Sequence, residues 1–281
     1  MQPIFRTHGI KEFRQSQSEL DLHVEEIENL GYCVIDSGMS PAELQIWRER
    51  IDDVYAAQVE ELGGEANLER INDAKVARCL IGYDDSFLSL ATHEKILEIL
   101  RRMLGDYFVL MSQNGIINDP TGVHYQITWH RDLNYQHFVS SRPVAMSALY
   151  CIDPFSEETG GTHVLPASHK GEAFPSRAYV EKHQRVVEAN AGSIIVFDAM
   201  LFHRSGLNRS GRTRRAVNHI YTLPLIKQQI DLPRTLKGKC GDNEFLRRFL
   251  GFESQPGETA LEWRQRKLQQ AARASNSPHA A

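Results

Sequence analysis

Cysteine is scarce in this 281-residue chain: there are four, Cys33, Cys79, Cys151 and Cys240, and no two form a CxxC pair. That scatter excludes the common zinc-ribbon spacing and supplies no disulfide framework, so free thiols in a reducing compartment are expected. No stretch approaches the roughly 20 consecutive apolar residues that span a bilayer. The N-terminal region has no basic-then-apolar leader pattern, because Arg14 to Glu19 is polar where an apolar core would lie. Excess positive charge is also missing: 32 Lys and Arg stand against 36 Asp and Glu, a formal net charge of −4. Without a basic field, nucleic acid and anionic membrane are poor partners. These absences leave a cytoplasmic protein with a small-molecule partner as the expectation.

What is present is an ordinary globular composition, 41% hydrophobic and 24% charged, enough for a sizeable core. No internal repeat or long linker divides the chain, which points to a single domain over residues 1–281 with a frayed tail at 271–281. Helices come first. Ser18 to Asn29 puts Leu20, Val24 and Ile27 on one stripe. After a short strand Tyr32 to Ile35, Ser40 as N-cap, Pro41 at the first helical position and Glu43 at the third open a second helix. Glu60 to Glu69 is acidic, with a Gly63-Gly64 break, and reads as an exposed loop; Lys95 to Leu104 is a helix closed by Gly105.

From Tyr107 the pattern changes to strand. Tyr107 to Ile117, Val123 to Asp132, Pro143 to Ile152, Thr162 to Leu165, Arg185 to Glu188, Ser193 to Phe197 and Arg214 to Leu223 alternate with Gly, Pro and Asn turn signals. Helices return at Asn243 to Phe249 and Thr259 to Ala274. The predicted class is α+β with a mainly β core, a barrel or sandwich buttressed by N-terminal and C-terminal helices.

Residues two apart on an extended strand share a face. On the predicted strand Val123 to Asp132, His130 and Asp132 therefore offer an imidazole and a carboxylate side by side. That pair is two-thirds of the 2-His-1-carboxylate facial triad of non-haem Fe(II) oxygenases. The spacing alone is weak evidence. His23 and Glu25 repeat it in a helical pattern, where i and i+2 diverge, and read as a solvated face.

A third ligand has to come from far along the chain, and His203 qualifies: an apolar strand and a turn precede it, and Ser205-Gly206 follow. Further on, Arg214 opens another strand. If that strand returns beside the one carrying His203, the guanidinium enters the same cavity, where its planar fork suits bidentate capture of a carboxylate. Ser205 shares the His203 face and can donate its hydroxyl to the same carboxylate. Ala216, Asn218 and Ile220 continue the Arg214 face, while Gln126 and Thr128 continue that of His130. Arg215 should point away from the cavity, and Trp129 reads as a core aromatic. His124, His137, His163, His169 and His219 read first as structural or pocket residues.

The order Trp129-His130-x-Asp132, then His203-x-Ser205-Gly206-x-Asn208-x-Ser210, then Arg214-Arg215-Ala216 resembles the phytanoyl-CoA dioxygenase family of Fe(II)- and 2-oxoglutarate-dependent oxygenases. Gly31-Tyr32-Cys33-Val34-Ile35 followed by Ser40-Pro41-Ala42-Glu43-Leu44 resembles that family's first strand and helix. Leu165-Pro166-Ala167-Ser168-His169 resembles its Pro-Gly-Ser-His segment, with Ala167 in place of the usual Gly. The likeness covers about residues 25–225.

The resemblance implies a double-stranded β-helix (a cupin-like jelly-roll barrel) with Fe(II) held by His130, Asp132 and His203. It implies 2-oxoglutarate and O2 as cosubstrates, ascorbate as reductant, and the distal carboxylate of 2-oxoglutarate on Arg214, helped by Ser205. Gln113 stands on the strand before the ligand strand, where relatives such as ectoine hydroxylase carry a cosubstrate-contacting Gln, which implies a cofactor-binding role. The reaction implied is hydroxylation of an unactivated C–H of a small metabolite or acyl substrate, with release of succinate and CO2. Halogenating relatives replace the carboxylate ligand with a small residue, so Asp132 favours hydroxylation, with desaturation, ring formation and epimerisation as open alternatives.

Arg131, Arg142 and His137 hint at an anionic substrate, with ordinary surface charge as the alternative. Gln136-His137 stands where ectoine hydroxylases keep Trp-His, which counts against that substrate. Two other readings stay open: a zinc-dependent hydrolase, since two His and an Asp also suit Zn²⁺, and a non-catalytic small-molecule-binding barrel.

Overall fold

Two capped helices deliver the chain to its sheet in the computed structural model, which describes residues 7–120, 125–239, 241 and 243–275. Helix α1 (Glu19–Leu30) opens with a capping box between Ser18 and Asp21. It ends at Gly31, φ 93°, whose N–H returns to Ile27 O. Only glycine suits this corner: the backbone is left-handed, and a Cβ would meet Leu201 Cδ1 at 2.6 Å and His169 Nδ1 at 2.7 Å. The turn launches β1 (Tyr32–Asp36). Helix α2 (Pro41–Glu61) starts from a second capping box, Ser40 with Glu43, and has Pro41 in its first turn. The acidic stretch expected as a loop is mostly helical. Helix α2 runs to Glu61 and a short helix spans Glu65–Arg70, because Glu, Ala and Leu favour helix and only the Gly63-Gly64 pair breaks it.

The remaining strands are β2 (Val76–Arg78), β3 (Val109–Asn118), β4 (Ala145–Cys151), β5 (Thr162–Val164), β6 (Arg185–Val186), β7 (Ser193–Asp198), β8 (His203–Ser205) and β9 (Arg214–Thr222). Six pair in one antiparallel sheet, ordered β1-β7-β4-β9-β3-β2, and three in a smaller antiparallel sheet, β6-β5-β8. Strand alternation sorts the large sheet into two buried faces. Ile194 and Val196, Ala148 and Tyr150, and Val217 and Tyr221 pack against the helices, including Glu94–Leu104. Their neighbours Ile195, Phe197, Leu149 and Ala216 face the other way and pack with Val164 of the smaller sheet and with Val187, just past its β6 strand. Burial on both faces explains why β7 reads as an unbroken apolar run. No helix among the described residues is long and apolar enough to cross a membrane.

One expected strand does not form. Val123 and His124 lie outside the described residues, Tyr125–Ile127 is a 3-10 turn, and the ladder shrinks to a single bridge between His130 and His203. The partner, β8, is only three residues long and gives a longer strand nothing to pair with, so the β-propensity of Tyr125 and Ile127 goes unused. Cys33, Cys79 and Cys151 are free and buried, while Cys240 lies outside the described residues. Of the expected tail, residues 271–275 complete the helix Ala260–Ser275 and residues 276–281 lie outside the described set.

Candidate active site

His130 and His203 exchange backbone hydrogen bonds of 3.0 Å in both directions, and Asp132 N–H donates to Ala199 O at 3.0 Å. Three side chains from two distant segments are thereby pinned to one spot, their ligand atoms all within 4.8 Å of one another. Each imidazole is oriented by its own chain. His130 Nδ1–H donates to Thr128 O at 2.8 Å and His203 Nδ1–H to Leu201 O at 3.0 Å. Both Nε2 lone pairs are therefore left free, the arrangement by which proteins prepare His for a metal. They face Asp132 Oδ1 at 4.0 Å and 3.4 Å. Ligand bonds of about 2.1 Å would set neighbouring donor atoms about 3 Å apart. Two imidazole nitrogens and one carboxylate at this spacing fit a divalent cation of the Fe(II) type.

Electrostatics point the same way. Burial and the neighbouring His203 push the His130 imidazole down to about 4, so it is neutral at physiological pH and keeps a lone pair for a cation. Burial would raise the Asp132 carboxyl, but His203, His130 and a hydrogen bond from the Ser147 hydroxyl outweigh it and hold the group below its ordinary value. For His203, burial works downward and loses to the adjacent Asp132 carboxylate, which lifts it above its ordinary value.

The three ligands line one cleft together with Arg214 and Ser205. Arg214 Nη2 donates to Ser205 Oγ at 3.0 Å, and its Cζ lies 4.2 Å over the Phe155 ring. The guanidinium is 3% exposed, and its Nε has no partner. Burial pushes it down to about 10, so it stays charged near neutrality. Among the described residues it forms no ion pair, and an isolated buried cation of this kind is a costly arrangement unless something anionic arrives. The pocket is held by a crossing of two glycine turns: Gly206 N–H donates to Gly160 O and Gly161 O, and a Cβ on Gly160 would sit 2.6 Å from Gly206 O. Asn118, paired with Arg214 across β3 and β9, donates to Ser205 Oγ at 3.2 Å and Gly206 O at 3.1 Å.

Of the other residues singled out from sequence, Asn218 and Gln126 line the cleft. Arg215 points to the helical side and pairs with Asp52 on α2. Trp129 packs beside Leu165, Val180 and Phe202, with the Arg204 guanidinium 5.3 Å from its ring centre. His124 lies outside the described residues.

Gln113 is a correction: it is not in the cleft but on the opposite face of the large sheet. Its Oε1 accepts from Ile81 N–H and its Nε2 donates to Phe87 O and His219 Nε2, which leaves nothing for a cosubstrate. Arg131 is neither a surface charge nor a substrate anchor; it is buried and bonded to backbone carbonyls. Sequence reading missed Ser147, Asn118 and Phe155, whose roles depend on pairings between distant strands. His23, Glu26 and Cys33 make a second group of potential ligands, but burial pushes the Cys33 thiol far above its ordinary value and keeps it protonated.

Two imidazoles and one carboxylate with ligand atoms within 4.8 Å of one another share a cleft with a buried arginine that has no ion pair among the described residues, the donor set that non-haem iron oxygenases use. Residues 27–216 match the family described as Phytanoyl-CoA dioxygenase (PhyH). The chain belongs to that family and is an Fe(II)- and 2-oxoglutarate-dependent oxygenase. It is 32% identical over 227 residues to the Mycobacterium tuberculosis protein Rv1501, covering 79% of this chain and 82% of that one. It is 25% identical over 221 residues to the dioxygenase af480 of Aspergillus fumigatus, covering 74% and 69%. The fold is shared with EctD from S. alaskensis, solved with 2-oxoglutarate and 5-hydroxyectoine, at a TM-score of 0.61 and 17% identity over 75% of this chain and 79% of that one. It is also shared with the carbocyclase SnoK from nogalamycin biosynthesis, at a TM-score of 0.56 and 18% identity over 72% and 83%.

Proposed function

We propose that this chain, acting as a single domain, hydroxylates an unactivated C–H bond of a small metabolite or acyl substrate, converting 2-oxoglutarate and O2 to succinate and CO2. The observation that carries the reading is the pairing of a metal-ready triad with a buried, unpaired guanidinium across one cleft. In this reading His130, Asp132 and His203 hold Fe(II), which supplies the oxidising chemistry when bound. Arg214 takes the distal carboxylate of 2-oxoglutarate in its planar fork, and Ser205, already bonded to Arg214, adds its hydroxyl. Ser147 donates to Asp132 Oδ2, which leaves Oδ1 directed at the two imidazoles. Phe155 and Phe197 keep water from the guanidinium and the His203 ring, strengthening the electrostatics between them.

A carboxylate ligand at Asp132 supports oxygen transfer rather than halogenation. A zinc hydrolase would have no use for Arg214. The two antiparallel sheets, packed against each other through Ile195, Phe197, Leu149 and Val164, support closure into a jelly-roll barrel. The test is a metabolite screen with Fe(II), ascorbate and 2-oxoglutarate. The expected result is substrate-stimulated succinate together with a product heavier by one oxygen. Succinate formation that no added compound stimulates, or 2-oxoglutarate consumption that does not depend on Fe(II), would overturn the proposal.

A further inference from the structure

Arg131 stands between two of the proposed metal ligands and is 2% exposed. Among the described residues it forms no ion pair, although Asp198 and Glu172 lie near enough to be felt. Backbone carbonyls take the place of a counter-ion. Nη1 donates to Gln136 O and to Glu172 O, the latter at 3.2 Å; Nη2 donates to Ser168 O at 3.0 Å and to Gly171 O. Its Cζ stands 3.9 Å from the centre of the Phe202 ring, within cation–π range. Its own backbone N–H donates to Gln136 Oε1 at 3.2 Å.

Phe202 is the residue immediately before His203, and its N–H donates to Ser168 Oγ at 2.9 Å. One planar cation therefore ties together the segment bearing His130 and Asp132, the Ser168–Glu172 loop and the residue that introduces the third ligand. The tie matters because the ligand segment is not a strand. Its regular support is one bridge to His203 and one hydrogen bond to Ala199. Such a segment needs another restraint to keep two ligands at metal-binding spacing, and a guanidinium can meet four carbonyls in one plane. Lysine, with a single nitrogen on a flexible stem, cannot.

We propose that Arg131 is a positioning residue of the metal centre, setting the spacing of all three ligands through the backbone on either side of it. The inference rests on His130, Asp132 and His203 being the metal ligands. A loop-organising arginine with no bearing on the metal would affect stability alone.

The probe is Co(II), added to the full-length metal-free protein under conditions where circular dichroism shows each variant folded. Dissociation constants and the visible d–d spectrum are compared for wild type, Arg131→Gln, Arg131→Lys, Phe202→Leu and His203→Ala. Both Arg131 variants are expected to bind Co(II) about 10- to 100-fold more weakly, the usual effect of losing a residue that orients metal ligands, and with a shifted d–d band. Phe202→Leu, which removes the ring beside the guanidinium but keeps an apolar side chain in the cluster with Leu165 and Val180, should fall between them and wild type. If Arg131→Gln does not fold, Arg131→Lys and Phe202→Leu carry the same comparison. Affinity within twofold of wild type and an unchanged spectrum in the folded variants would overturn the proposal, whatever happens to the melting temperature. Failure of the underlying ligand assignment looks different: wild type takes up no Co(II), or His203→Ala binds it as tightly as wild type.

Discussion

The Arg214 guanidinium reaches the Ser205 hydroxyl at 3.0 Å and, among the described residues, no carboxylate. A charge buried this deeply and left one partner short is prepared for an anion. Replacing it with Gln removes the charge and half the fork; replacing it with Lys keeps the charge and loses the fork. Arg214→Gln should weaken 2-oxoglutarate by about 2–5 kcal/mol, the range for truncating one side of a buried charge pair. Arg214→Lys should lose less. Anaerobic titration of 2-oxoglutarate into the Fe(II)-loaded protein measures both, and Fe(II) affinity itself should stay at the wild-type value. Equal 2-oxoglutarate affinity in Arg214→Gln would remove Arg214 from the site.

Ser147 tests the metal side. Its hydroxyl donates to Asp132 Oδ2 from the inner face of β4, fixing which carboxylate oxygen turns toward the imidazoles. Ser147→Ala should raise the Fe(II) dissociation constant about tenfold, as loss of a ligand's own hydrogen-bond partner generally does. The substitution also leaves the buried Asp132 Oδ2 without its donor, so the metal-free protein should lose about 1–3 kcal/mol in denaturant unfolding. An unchanged iron affinity would show that the β4 hydroxyl is incidental.

Much of this site was readable because its parts are local. The His130-x-Asp132 spacing, the apolar run before His203 and the strand opening at Arg214 are each contained in a few residues, as are the Ser40–Glu43 cap and the bounds of β7. What could not be read depends on distant pairing. The strand expected at Val123 to Asp132 has the right residues but a partner, β8, too short to extend it. The face of Gln113 is set by a register shift between Leu110 and Ser112. Counting by twos from Leu110, which faces the helices, puts Gln113 in the cleft; the bulge reverses the count and turns it to the helical side. Arg131 looked like surface charge because the carbonyls that hold it belong largely to a loop about 40 residues away.

That reversal can be checked directly. Gln113→Leu leaves Ile81 N–H, Phe87 O and His219 Nε2 without their buried partner. Unfolding by denaturant should show a loss of about 1–3 kcal/mol, the penalty for a buried polar group left unsatisfied. The concentration of 2-oxoglutarate giving half-maximal uncoupled turnover should not change. A severalfold rise with stability intact would return Gln113 to the cosubstrate site.

Ala167 carries strain that can be relieved. It has φ 62°, in the left-handed region, and its N–H donates to Leu30 O at 2.7 Å. The family segment it resembles has Gly at this position. Left-handed backbone costs a residue with a Cβ about 1–2 kcal/mol, partly offset by the extra chain entropy that Gly loses on folding. Ala167→Gly should therefore stabilise the protein by up to about 1 kcal/mol and raise its melting temperature by a few degrees at most. A lower melting temperature would mean that the Ala167 methyl makes contacts worth more than the strain.

His219 links the core to pH. Gln113 Oε1 accepts from Ile81, so Gln113 Nε2 must donate to His219 Nε2; the imidazole keeps its proton on Nδ1, toward Ala148 O. Burial pushes its pKa from 6.5 down to about 3. A histidine that binds its proton less well folded than unfolded makes stability fall as the pH drops below the unfolded value. The His219 contribution is therefore intact above about pH 7 and is lost progressively from about 6.5 toward 3. Asp198, which burial pushes up to about 6, works in the opposite sense: it adds stability at low pH that fades as the pH rises through 6. Comparing wild type with His219→Leu cancels Asp198, since both proteins contain it. Between pH 7.5 and 5.5 wild type should lose about 1.4 kcal/mol more than the variant in denaturant unfolding, the full effect of one group at one pH unit below its unfolded pKa. Parallel pH profiles for the two proteins would mean that His219 binds its proton as readily folded as unfolded and that the Gln113 hydrogen bond does not hold it neutral.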